Sequence, residues 1–350
     1  MNPPDASPIS PEEAAALLAP LARARHVALA VSGGPDSLAL LHLAARWREE
    51  RGGTPELTVL TVDHALRPGS RAEAEAVDRA AAGLGLPHAI LTWEHEEIAD
   101  TGVQEKARAA RYGLMVAHAH AHNIEAIVTA HHLDDQAETF LMRLRRGSGL
   151  DGLAAIPERS TWGGIAILRP LLDVPKTRLV ATLEEQGIAY ASDPSNADPR
   201  FERARMREAA DALAALGLTP DVLALTARRL RRAREALDQA TDAFLADHAE
   251  MHADHGTIDR AAMLDAPQEI ALRALARVIE AVGGGDEPVR LAKLEALLAS
   301  LTAHPAKTQT LGHCRIEPKG RRIAIFREQR GKRSASAEPK QPERRAALTR

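Results

Sequence analysis

The chain has 350 residues, room for about two domains of ~150 residues each, with 45% hydrophobic residues, 27% charged residues and a formal net charge of -3. That balance excludes a wholly disordered chain and a globally basic nucleic-acid coat, although a near-neutral total can hide a basic face. One cysteine, Cys314, excludes a disulfide framework, a cysteine-rich zinc site and an iron–sulfur cluster. Nine aromatic residues (four Phe, three Trp, two Tyr) supply a base-stacking surface poorly. No run approaches the ~18 apolar residues of a membrane helix. The opening MNPPDASPIS lacks the basic and apolar regions of a secretion signal. A cytoplasmic protein with no membrane contact is therefore expected.

In chain order, residues 12–24 read as a short helix, and 26–31 (HVALAV) as a buried strand. A Gly/Pro break at 32–37 precedes helical periodicity over 38–49. Strands are predicted at 57–62, 88–93, 125–129 and 165–168, and helices at 70–83, 103–122, 134–145 and 175–186. Residues 147–152 carry three glycines and read as a loop. Strands alternating with helices of this length indicate α/β architecture: a doubly wound, mainly parallel sheet. After about residue 215 the pattern changes to helices at 221–249, 267–281 and 288–301, then a hairpin of 308–316 and 322–326. Three regions are thus expected: a catalytic α/β domain over 1–215, a smaller, mostly helical domain over 216–328 ending in the β-hairpin, and a disordered tail over 329–350.

The strongest local signal is the strand-to-helix junction VALAVSGGPDSLALL, residues 27–41. Gly33 and Gly34 allow positive φ and close backbone approach. The first-turn amides of the following helix have no internal partners, and the helix dipole adds positive potential there. Ser32 and Ser37 can add hydroxyls. The segment suits a phosphate or pyrophosphate, yet it has neither a Walker lysine nor GxGxxG. A tight capped turn with no ligand is the plainer alternative.

SGGPDS after a strand resembles the signature loop of the N-type ATP pyrophosphatases, the PP-loop superfamily. Those enzymes cleave ATP between the α and β phosphates and pass AMP to an acceptor oxygen. The loop Ser32, Gly33, Gly34, Pro35, Asp36, Ser37 is then the ATP-binding element. Further blocks follow in order: HALRP at 64–68, ARAARY at 107–112, the long TAHHLDDQAETFLMRLRRGSGLDGL at 129–153, RPLL at 169–172 and DPSN at 193–196. In this order they resemble the tRNA(Ile)-lysidine synthetase family, and the helical region with TLGHC at 310–314 is similar to that family's first C-terminal domain. Some members carry a further C-terminal domain, which this sequence is expected to lack.

The resemblance implies an adenine nucleotide alpha hydrolase-like fold and an ATP-dependent ligase that attaches free L-lysine to C2 of the wobble cytidine of tRNA(Ile) with a CAU anticodon. The tRNA is first adenylated, releasing pyrophosphate, and AMP leaves when lysine attacks. ATP and Mg²⁺ are the implied cofactors, and a homodimer is left open. Asp134, Asp135 and Glu138 share one face of a helix at the carboxyl end of a strand, where open α/β sheets bind ligands. Such carboxylates suit Mg²⁺ on ATP phosphates or a cationic substrate, and also suit plain helix capping. Asp36 and Asp134 are the expected metal ligands. Asp36, Arg108, Arg111, Asp135 and Glu138 are the expected catalytic set, with at least one of the two arginines directed at phosphate. His131 and His132 lack a third residue at zinc spacing. Arg169 and the run Arg203, Arg205, Arg207 read either as site residues or as surface charge.

Arg228, Arg229, Arg231, Arg232 and Arg234 place five positive charges in seven residues of a helix expected in the second domain. They read as a phosphate-tracking surface for tRNA or as a solvated helix face. Two other enzyme readings share the loop: a tRNA thiolase and a small-molecule amide-forming synthetase. One cysteine fits poorly with a thiolase that carries sulfur on thiols. A non-catalytic nucleotide- or tRNA-binding module is the alternative outside enzymes.

Overall fold

A computed structural model of the chain describes residues 6–64, 69–94, 103–190, 206, 209–252, 254–284, 289–303 and 307–328. The expected tail at 329–350, the DPSN block and Arg203, Arg205 and Arg207 lie outside the described residues, as do residues 65–68 of HALRP. By compactness the chain divides into two units, 1–234 and 235–350.

The first unit begins with α1 (Pro11–Leu18), capped by Ser10, whose Oγ accepts the Glu13 N–H at 3.2 Å. The helix expected over 12–24 is interrupted because Pro20 has no N–H for an α-helical ladder, and Ala19–Arg23 turns in a 3₁₀ helix instead. A six-stranded sheet follows, built from β1 (His26–Ala30), β2 (Glu56–Asp63), β3 (His88–Thr92), β4 (Ala126–Val128), β5 (Arg159–Trp162) and β6 (Ile165–Leu168). Its order is β3-β2-β1-β4-β6-β5, and all neighbours are parallel except β5 with β6.

The helices are α2 (Pro35–Glu50), α3 (Ser70–Gly83), α4 (Val103–Ala121), α5 (Leu133–Arg145), α6 (Leu150–Leu153), α7 (Lys176–Glu185) and α8 (Ala210–Ala215). Period-two alternation in the strands sorts side chains between two cores. Val27, Leu29, Val59 and Val128 face one core with Leu40, Trp47, Val77 and Leu179 of α2, α3 and α7. Ala28, Leu60 and Ile127 face the other with Tyr112, Met115 and Ala119 of α4. Helices on both faces explain why β1 and β4 read as continuous apolar runs rather than alternating ones.

Strand β5 was not expected, since RSTW is short and polar. It is held at the sheet edge by a two-residue turn, Gly163 and Gly164, with φ of 51° and 83°. This is the left-handed pair that matches strand twist in a hairpin, and Trp162 pairs directly with Ile165. The glycine-rich stretch expected as a loop contains the single turn of α6.

The division between units falls within α9 (Pro220–His248), later than the expected boundary near 215. The reason is apolar: Leu223 and Ala227 on the first part of α9 pack with Ala137, Phe140 and Ala155.

The second unit combines the rest of α9 with α10 (Arg260–Asp265), α11 (Gln268–Gly283) and α12 (Leu291–Thr302). Its hairpin, β10 (Cys314–Lys319) and β11 (Arg322–Arg327), belongs to a five-stranded antiparallel sheet with β7 (Ala249–Met251), β8 (His255–Asp259) and β9 (Gln309–Leu311), ordered β7-β8-β11-β10-β9. Ile258, Leu275, Ile279, Leu297, Ile316 and Ile325 fill its core. The glycine of TLGHC has a steric cause: a Cβ on Gly312 would lie 2.6 Å from Ile279, and one on Gly283 would lie 2.1 Å from the Gly312 carbonyl oxygen. Among the described residues no helix is long and apolar enough to cross a membrane.

Candidate active site

Strand order explains where the site lies. The chain runs outward from β1 through β2 to β3, then returns to place β4 on the other side of β1. The β1/β4 junction is therefore the topological switch point, where loops leaving adjacent carboxyl ends diverge and leave a crevice. The loop after β1 is SGGPDS, and the loop after β4 leads into HHLDD. Topology thus brings together two segments about a hundred residues apart in sequence.

In the first loop, Gly33 has φ of 87°, a conformation only glycine adopts readily. Its buried α-carbon lies against α3, where a Cβ would meet Val77 Cγ2 at 3.4 Å. Gly34 is the N-cap of α2 and offers no side-chain cap, and Pro35 supplies the fixed φ of the first turn. The loop residues Pro35, Asp36 and Ser37 are thus already helical, three residues earlier than the sequence periodicity suggested. Ser37 is buried and works inside the loop. Its hydroxyl donates to the Gly34 carbonyl at 3.0 Å, and its Oγ accepts the Ser32 N–H at 3.1 Å. The Ser32 and Ser37 hydroxyl oxygens are 3.3 Å apart. Ser37 therefore shapes the cradle, while exposed Ser32 stands at its rim.

The second loop centres on His132, whose side chain is only 3% exposed and lies among three carboxylates. Its Nε2 is 3.5 Å from Asp36 Oδ2 and 3.5 Å from Asp135 Oδ2, and its Nδ1 is 3.4 Å from Asp134 Oδ2. Burial opposes a charge on this ring, yet Asp134, Asp36 and Asp135 together push its pKa up to about 10. Burial would likewise raise the Asp36 carboxyl, but His132 and Lys176 hold it below the ordinary carboxylate value. Asp134 is also lowered: burial acts against it and is outweighed by His132 and by the Lys176 backbone N–H. The site is thus a set of charges, with the imidazolium of His132 at its centre.

The three aspartates do different things. Asp135 accepts the His132 N–H at 3.1 Å and closes the first turn of α5. Asp134 Oδ2 accepts the Lys176 N–H at 2.9 Å and so ties the start of α7 to the start of α5. Asp36 contacts His132 and Lys176 through Oδ2, and its Oδ1 is buried with no hydrogen-bond partner. Such an orphaned carboxylate oxygen in a phosphate-binding loop fits a hard cation such as Mg²⁺. Among the described residues no group of three or more His, Cys, Asp or Glu is arranged to hold a metal ion. Glu138 is buried on α5 one turn beyond Asp134.

The two expected arginines separate. Arg111 donates to His64 Nε2, at 3.3 Å from Nε and 3.2 Å from a terminal nitrogen, just beyond β2. Arg108 lies over the ring of Tyr112, 5.1 Å from its centroid. Arg169 is buried, with its guanidinium on the Pro157 carbonyl and the Ser160 hydroxyl, so it is not surface charge.

Sequence reasoning missed Lys176, Gln136 and the role of His132. Lys176 donates from Nζ to Asp36 Oδ2 at 3.4 Å, and its only sequence signal was its place at the start of a helix soon after RPLL. Gln136 is buried and forms a two-way amide bridge to Ile156, 2.8 Å in each direction, which anchors the segment leading to β5. Its polar neighbours Asp135, Glu138 and Thr139 in DQAETF had hidden it.

The helix of five arginines is also partly absorbed by structure. Arg228 pairs with Asp173 at 3.2 Å. Arg231 pairs with Glu158 at 3.0 Å and donates to the Ile156 carbonyl at 2.9 Å. Arg229 and Arg232 are exposed. All five belong to the first compact unit rather than the second.

Comparison with known proteins agrees with this arrangement. The PP-loop domain family profile matches residues 7–211. A tRNA(Ile)-lysidine synthase of a Bradyrhizobium strain is 48% identical over 85% of this chain and 85% of its own. Another, of Rhodopseudomonas palustris, is 45% identical over 92% and 96% respectively. Among solved structures, a U34-tRNA thiolase of Methanococcus maripaludis shares the fold, with a TM-score of 0.52 at 17% identity over 63% of this chain and 78% of that one. With a switch-point crevice built from SGGPDS and HHLDD and relatives this similar along most of its length, the chain belongs to the tRNA(Ile)-lysidine synthase family.

Proposed function

We infer that this chain is an ATP-dependent ligase that joins L-lysine to C2 of the wobble cytidine in tRNA(Ile) with a CAU anticodon. The observation that carries the reading is the pairing of the glycine loop with the Asp36–His132–Asp134–Asp135 cluster at one switch point. Cytidine C2 is a poor electrophile with a poor leaving oxygen. Transfer of AMP to that oxygen, with release of pyrophosphate, makes it a good one. The ε-amine of lysine then attacks C2, and AMP departs.

We assign the chain's residues the following roles. The loop 32–37 and the first-turn amides of α2 hold phosphate oxygens. When bound, Mg²⁺ would neutralise phosphate charge, and Asp36 through its unpaired Oδ1, together with Asp134, would hold it. His132 keeps three carboxylates close together without the repulsion they would otherwise have. Asp135 and Glu138 are the carboxylates for the lysine ammonium and for the proton it sheds before attack. Of Arg108 and Arg111, which separate onto Tyr112 and His64, at least one is assigned to the phosphate of the activated nucleotide. The protein's contribution is mainly positioning and charge stabilisation. We assign the catalytic domain to the first unit, residues 1–234, and a cytoplasmic setting supplies all three substrates.

The thiolase alternative is disfavoured by the single cysteine. Cys314 is buried in the core of the second unit, its Sγ donates to the Ile279 carbonyl at 3.4 Å, and burial pushes its pKa up. A thiol so placed is a poor sulfur carrier. The testing experiment is ATP–pyrophosphate exchange with and without tRNA. Exchange that requires tRNA and not lysine supports adenylation of the RNA. Exchange driven by a small carboxylic acid without tRNA would support an amide-forming synthetase instead.

A further inference from the structure

We propose that Lys176 is a catalytic residue that supplies, from outside the glycine loop, the phosphate-directed cation which that loop lacks. The proposal rests on the ATP-dependent reading above. The loop itself offers a phosphate only neutral donors, since no lysine or arginine occurs among residues 32–37. Around it, the carboxylates of Asp36, Asp134 and Asp135 lie against the His132 ring and the Lys176 ammonium. The three carboxylates repel an entering triphosphate, and a cation turned toward it offsets that repulsion.

Of these two groups, only Lys176 is free to turn. His132 is enclosed, with its side chain 3% exposed, whereas that of Lys176 is 39% exposed on a flexible four-carbon stem. Its backbone, by contrast, is fixed. The Lys176 N–H is held by Asp134 at 2.9 Å, and the Leu133 N–H donates to the Val174 carbonyl at 3.0 Å, which docks the start of α7 on the start of α5. The ammonium thus pivots from an anchored α-carbon. It rests on Asp36 by a single long contact of 3.4 Å, in the first turn of α2 where phosphate is expected.

A cation bound to Asp36 would repel that ammonium from its resting place, and the entering phosphates would attract it. In the adenylation step a bond forms from cytidine O2 to the α-phosphorus. The bond from that phosphorus to the bridging oxygen breaks, and its electron pair leaves on pyrophosphate. Lys176 takes no part in proton transfer, and its ammonium offsets the charge that develops on the departing oxygen.

The test compares full-length wild type, Lys176→Met and Lys176→Arg. Measured quantities are tRNA-dependent pyrophosphate release, Kd for α,β-methylene-ATP with Mg²⁺, Kd for adenosine, and Tm. Loss of one such charge should lower kcat for pyrophosphate release roughly 100-fold in Lys176→Met. The analogue should bind more weakly, adenosine should bind as in wild type, and Lys176→Arg should recover part of the rate. Wild-type kcat in a folded Lys176→Met variant would overturn the proposal. So would equal weakening of adenosine and the analogue, which would assign the residue to the shape of the site. If wild type itself releases no pyrophosphate with tRNA, the ligase reading fails, and the proposal falls with it.

Discussion

His132 Nε2 lies 3.5 Å from Asp36 Oδ2, joining the loop after β4 to the first turn of α2 across 96 residues of sequence. Neither residue would have this partner without the return of the chain to the far side of β1. The contact ties the phosphate loop to the acidic helix start, so the chemistry of either segment depends on the charges of both.

Asp36→Asn keeps the shape but removes the charge facing His132, Lys176 and any bound cation. Pyrophosphate release should fall by roughly two orders of magnitude. Circular dichroism and the cooperativity of thermal unfolding should stay as in wild type. Release at the wild-type rate would remove Asp36 from the chemistry.

His132 makes stability depend on pH with a definite sign. Its pKa is raised from 6.5 to about 10, so its contribution is fully present below about pH 6.5, declines above that, and is gone once pH passes about 10. Denaturant titrations of wild type and His132→Asn should therefore differ most near pH 6 and converge near pH 10. A difference that grows with pH would show that the ring is neutral in the folded protein.

Much of this site was legible in the sequence where its cause is local. The strand–SGGPDS–helix junction, the helix beginning HHLDD and the parallel α/β pattern each depend on a few neighbouring residues. The role of His132 and that of Lys176 were not legible, because both depend on which strands become neighbours. Asp134 and Asp135 were expected for chemistry, and both also cap or tether helix starts. Strand β5 was missed because its apolar partner is on β6, although its Gly163–Gly164 turn was there to be read. Strands β7 and β8 were missed for the same reason: AEM and HGTID gain their partners only within the second sheet.

A variant of Glu138 should separate the two half-reactions. If Glu138 and Asp135 hold the lysine ammonium, Glu138→Gln should raise the KM for lysine by about tenfold or more, the loss of one charged hydrogen bond. AMP transfer to tRNA should remain detectable. Equal loss in both half-reactions would assign Glu138 to the metal or the fold.

Along α9 the arginines should divide by their partners. Arg229 and Arg232 are exposed, so changing both to Ala should weaken tRNA binding and flatten the slope of log affinity against log salt, by up to ~0.9 for each phosphate that is no longer neutralised. Arg231→Ala should instead lower Tm, since its guanidinium is committed to Glu158 and the Ile156 carbonyl. An unchanged salt slope in the folded double variant would dismiss this face as a tRNA surface.

The central claim is most directly tested by incubating the purified chain with ATP, Mg²⁺, isotope-labelled lysine and bulk tRNA, then digesting the tRNA and locating the label by mass spectrometry. The account predicts label on a single cytidine, at the wobble position of the CAU-anticodon isoleucine tRNA, with AMP and pyrophosphate formed in equal amounts. Label absent from tRNA, or ATP cleaved to pyrophosphate at the same rate without tRNA, would contradict it.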